Sequence, residues 1–73
     1  MKQIDTKLIN WSVVCVNEFA KSLEMSLREA FEYLYMFGGI SFLKEHYEAE
    51  HLLSIEDTVE DLLIVCRNNG GHL

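Results

Sequence analysis

Residues 26–47 read SLREAFEYLYMFGGISFLKEHY, and this stretch decides the fold. Ser26 precedes Glu29 by three positions. In that relation the serine hydroxyl accepts from the glutamate's backbone N–H while the carboxylate reaches back to the serine N–H, the reciprocal pair that opens an α-helix. Behind it Leu27, Ala30, Phe31, Leu34 and Phe37 recur at helical spacing, which predicts one buried face with Arg28 and Glu32 turned to water. Gly38-Gly39 ends this helix, because glycine takes the left-handed cap conformation at little cost. The next helix starts at once, from about Ile40 to Glu50. Ile40, Leu43 and Tyr47 form its inner face with Phe42 beside them, and Lys44, Glu45 and Glu48 lie outside.

Upstream, a helix is predicted from Thr6 to Leu23, with Asp5 or Thr6 as N-cap. Leu8, Trp11, Cys15 and Phe19 make its apolar face, flanked by Ile9, Val16 and Ala20. Lys7, Asn10, Asn17, Lys21 and Glu24 make the polar stripe. Downstream, a short turn leads to Ser54, the predicted N-cap of a last helix. Glu56 and Asp57 in its first turn complement the helix dipole. Its core face is Ile55, Val59, Leu62, Leu63 and Cys66, Gly70-Gly71 ends it, and His72-Leu73 are expected to fray. No strand-like alternation or hairpin dipeptide occurs. The expected fold is all-α: one domain over residues 1–73, a compact bundle of four short helices with a helix-turn-helix-like central pair. Whether the bundle closes or opens into a groove does not follow from the periodicity.

Composition narrows function. The chain has 73 residues, 49% of them apolar, and no proline. A domain of this size buries only about 60% of its unfolded surface, so a partner or self-association that covers more apolar surface stabilises it. The net charge of −6 repels phosphate and anionic membrane surfaces, so neither nucleic acid nor membrane is an expected partner of the chain by itself. A basic protein is favoured instead. No signal peptide pattern and no apolar run of about 20 residues is present, and the two cysteines form no metal or disulfide pattern. They read as reduced core residues of a cytoplasmic protein.

The stretch FLKEHYEAEHLLSIED, residues 42–57, invites four readings. His46 and Glu50 at i, i+4 share a helix face and can share a cation, but His51 points about 100° away and zinc needs three or four ligands. Cys66 with His51 can form a nucleophile–base pair, but Cys66 lies on a core stripe, where a thiol is inert. The helix-turn-helix topology suggests DNA, but Glu45, Glu48 and Glu50 would face phosphate. The fourth reading is structural: a helix seam with an acidic outer face, in which the His51 imidazole meets an exposed carbonyl or a carboxylate. It predicts no enzyme, no cofactor and no metal.

Val14, Tyr35, Met36 and Ile64 interrupt polar stripes. Ile64 shares its face with Asp57, Glu60 and Asp61. Apolar residues rimmed by acids predict a partner-binding patch.

The ordered set VVCVNEFA, SxxEAFxYL, FGGISFL, YExxH and SIEDTVEDL resembles the small bacterial family called domain of unknown function 3791. Gly38, Phe42, Leu43, Tyr47, Glu48 and His51 carry the sharpest likeness. The chain departs from the family pattern at Gly39, where relatives often have a larger apolar residue, and at Glu50, where an aliphatic residue is usual. Many members of that family are encoded beside a larger protein similar to ADP-ribosyltransferases. The resemblance therefore implies a two-gene module, toxin and antitoxin in character, with this chain as the acidic partner. The alternatives are a self-associating homodimer and, behind it, a helix-turn-helix regulator.

Overall fold

In the computed structural model, which describes residues 6–73, the regular structure is all α-helical. The segments are α1 (Thr6–Ser22), α2 (Leu27–Met36), α3 (Gly39–Glu45), α4 (Tyr47–Glu50) and α5 (Ile55–Asn68). Helix α1 packs on α2, α3 and α5, and α3 also packs on α2 and α5. Cys15, Val16, Phe19 and Ala20 of α1 meet Ala30, Leu34, Leu43, Val59, Leu62 and Cys66 in one buried cluster.

The helix ends follow the local chemistry. Ser26 caps α2 as expected: its hydroxyl accepts from Glu29 N–H at 3.1 Å, and its own N–H donates to the Glu29 carboxylate at 3.0 Å. That backbone hydrogen bond, with the Ser26 side chain, holds the Glu29 carboxyl below its ordinary value. Ser54 caps α5, accepting from Asp57 N–H at 3.1 Å. Gly38, at φ +83°, makes the left-handed corner between α2 and α3. At the end of α5, Gly70 is left-handed and Gly71 N–H donates back to the Cys66 carbonyl at 2.8 Å, so the last carbonyls find donors. Helix α1 ends the same way without a glycine. Glu24 takes φ +53°, and Met25 N–H reaches the Ala20 carbonyl at 3.0 Å.

Three expectations change. The helix expected over residues 40–50 breaks at His46, whose φ of −113° and ψ of +20° leave the helical region and give five segments in place of four. The tail is tied down instead of frayed: Leu73 N–H donates to the Tyr33 hydroxyl at 3.3 Å, and Arg67 Nε donates to the Leu73 carbonyl. Thr6 lies within α1, and the other predicted N-cap, Asp5, lies outside the described residues.

One contact joins distant parts of the chain. The Asn69 side-chain amide donates to the Phe37 carbonyl at 2.9 Å, capping the C-terminus of α2 from beyond α5. A Cβ on Gly39 would lie 2.6 Å from Leu34 Cδ2 and 3.3 Å from Cys66 Sγ, so α3 starts tightly wedged between α2 and α5.

Candidate interaction groove

Helices α1 and α2 do not close over all of their apolar surface. At 100° per residue, the apolar side chains of α1 from Trp11 round to Val13 spread over about 200°, wider than one neighbouring helix covers. The uncovered flank, Ile9 and Val13, faces Leu27 and Phe31 across an open groove of about 1150 Å³ floored by Val16 and Ile40. All four flanking side chains are about half exposed. Leu27 and Phe31 were expected in the core with Ala30 and Leu34. They stand at the edge of the α2 stripe instead, where Ala30 and Leu34 alone reach full burial.

Arg28, Glu32 and Lys44 rim the groove. Arg28 pairs with Glu32 at 3.6 Å. Among the described residues Lys44 is in neither of the ion pairs formed, and it is exposed. Two of the chain's six basic residues thus stand at this face of an acidic protein.

The residues predicted for a partner patch are distributed differently. Val14, Tyr35, Met36 and Ile64 are all exposed, Tyr35 and Met36 the most, at 72% each. None of them lines the groove. Val14 is one residue on from Val13, hence about 100° round the helix. Tyr35 borders the groove through Phe31, on which it stacks at 6.2 Å between ring centroids. Asp57 and Glu60 are exposed on α5, and Asp61 is half-buried.

The residues of the 42–57 stretch are placed as follows. His51 Nδ1 meets the Tyr47 carbonyl at 2.7 Å, the structural role expected for it, and its ring stacks on Tyr47 at 4.5 Å. Tyr47 in turn meets Trp11 edge-on at 5.3 Å. Leu43 is buried, Phe42 packs against the core and Glu48 is exposed. His46 is exposed and Glu50 is buried, so the two side chains do not present one face to a cation.

Glu50, expected on the outer acidic face, is buried at 8% exposure. Burial first, then hydrogen bonding and charge repulsion from Asp61, push its carboxyl up to about 7; Thr58 works against this and Asp57 adds to it. The signal was available: Leu43, Tyr47 and Glu50 fall at i, i+4 and i+7, so Glu50 continues the inner stripe. Cys66 is fully buried, and burial raises its thiol while the Gly39 backbone N–H works the other way. Cys15 is likewise buried and pushed up to about 11, by burial and then by Glu50. Neither thiol is a ready nucleophile at neutral pH.

Among the described residues no group of three or more His, Cys, Asp or Glu is placed to hold a metal ion, and no helix is long and apolar enough to cross a membrane. No curated protein and no solved structure matches the chain. A family model matches residues 10–69, from the second turn of α1 to the cap of α5, and the chain therefore belongs to the family described as "Protein of unknown function (DUF3791)".

Proposed function

We propose that this chain is a protein-interaction module that seats an amphipathic helix of a partner protein in the α1/α2/α3 groove. The observation that carries the reading is the apolar groove flanked by half-exposed Ile9, Val13, Leu27 and Phe31. An apolar channel with a polar rim suits a helix whose anchors recur at i, i+3 or i+4 and i+7. Lys44 supplies the charge complement, so the incoming helix carries an acid beside its apolar face. The rest of the partner is basic: a net charge of −6, with Asp57 and Glu60 exposed on α5, draws it in before contact.

The family resemblance supports one kind of partner, an ADP-ribosyltransferase-like protein encoded nearby, which this chain would restrain as an antitoxin does. In this reading the chain catalyses nothing itself. Its thiols are buried, and His51 is engaged with the Tyr47 carbonyl.

The test is co-purification of the untagged chain with its tagged genomic neighbour, repeated with substitutions. Val13→Glu and Phe31→Glu should abolish the complex while circular dichroism shows helicity retained. Ile64→Glu should leave the complex intact, and Tyr35→Glu should weaken it at most partly. If Ile64→Glu and Tyr35→Glu abolish binding while the groove variants do not, the α2/α5 surface is the binding face and the groove reading fails. A dimer in light scattering that Phe31→Glu dissociates would assign the groove to a second copy of this chain. A gel shift with operator DNA would favour the regulator.

A further inference from the structure

Glu50 Oε1 is sealed from solvent and has no hydrogen-bond partner among the described residues. A buried carboxylate oxygen can be satisfied by a neutral hydrogen-bond donor, a basic side chain, a metal ion or a proton, and among the described residues no donor reaches Oε1. The titratable groups that face Glu50 are the Cys15 thiol from α1 and the carboxyls of Asp57 and Asp61 from α5, and none of them is cationic. Glu48 and His51, its neighbours on its own segment, are exposed, and His51 is engaged at the Tyr47 carbonyl. The described residues offer no three-ligand metal group. Asp61 is the carboxyl that acts most strongly on Glu50, through hydrogen bonding as well as charge. Two carboxylates offer acceptors only, so they form no bond until one of them carries a proton. That proton would supply the hydrogen bond the sealed oxygen lacks.

We propose that Glu50 is a proton latch: it is held as a neutral acid sharing its proton with Asp61, and its ionisation loosens α4 from α5. Among the described residues the one-turn α4 is held to α5 by little else that is polar. Thr58 Oγ1 donates to the Glu50 carbonyl at 3.4 Å, a long contact that goes with the same residue. The raised Glu50 value means that the folded chain holds a proton the unfolded chain has released between the ordinary carboxyl value of 4.5 and about 7. The latch's contribution is therefore complete at the acid end of that window and is lost as the pH rises through its upper end.

The experiment follows the Glu50 carboxyl carbon by NMR across pH 4 to 9 in the intact chain, with thermal unfolding of wild type, E50Q and D61N across pH 5 to 8. Histidines titrate in the same range, so the readout from unfolding is the difference between wild type and E50Q. The expected results are a Glu50 midpoint near 7, a melting temperature that falls with rising pH in wild type, and a shallower fall in E50Q. The amides of Glu50, His51 and Leu53, which are hydrogen-bonded within this turn, should also lose exchange protection at pH 8 relative to those of α5. D61N should lower the Glu50 midpoint. A midpoint in the ordinary carboxyl range, or an E50Q slope equal to that of wild type, overturns the latch. If E50Q does not fold, the wild-type and D61N titrations decide, and a Glu50 midpoint unmoved in D61N overturns the shared proton.

Discussion

Glu24 is the one non-glycine residue with left-handed backbone among those described. Its side chain meets no need there that a hydrogen atom would not, since the cap is made by backbone groups of Leu23, Glu24 and Met25. A β-carbon in that conformation costs about 1–2 kcal/mol, part of which glycine gives back through the freedom of the unfolded chain. Glu24→Gly should raise stability by up to about 1 kcal/mol, read as a shift in the urea midpoint with unchanged slope. At this scale the sequence was most legible where a short side chain meets backbone directly. Ser26 with Glu29, Ser54, Gly38 and the His51 imidazole all do what their types and positions require. Glu50 was misplaced because an acid was assigned by its charge and not by its register with Leu43 and Tyr47.

At the scale of elements, α1, α2 and α5 were legible because each combines a periodic stripe with a chemically distinct end. The break between α3 and α4 was not. No glycine or proline marks His46, and Phe42 and Glu50 still exchange backbone hydrogen bonds with it. The groove was only half legible. Ile9, Leu27 and Phe31 belong to apolar stripes, and the excess width of those stripes was visible, but which flank stays open depends on how the helices lean on one another. The Asn69 amide on the Phe37 carbonyl was invisible, because nothing local links an asparagine near the C-terminus to the end of α2. Asn69→Ala leaves that carbonyl without its donor and should cost about 1 kcal/mol in urea unfolding. Asn69→Asp, which keeps the shape and loses the donor, should cost at least as much.

The molecule as a whole holds Cys15 on α1 and Cys66 on α5 in one sealed cluster. Both thiols should stay unreactive toward an aromatic disulfide reagent in buffer and react together, at one rate, as urea opens the core. Early reaction of either one alone would show that α1 or α5 detaches separately. Acids lie along α5, and the groove with Arg28 and Lys44 lies on the side of α1, α2 and α3. The Asn69–Phe37 contact spans 32 residues, whereas the packing of α2 on α1 and of α3 on α2 joins elements adjacent in sequence. A bond that closes so long a loop forms after the neighbouring helices have met. The corner at Gly38 therefore acts as a late fastener, governing how long the folded chain lasts more than how fast it is made. Stopped-flow measurements on Asn69→Ala should find unfolding about fivefold faster and refolding nearly unchanged.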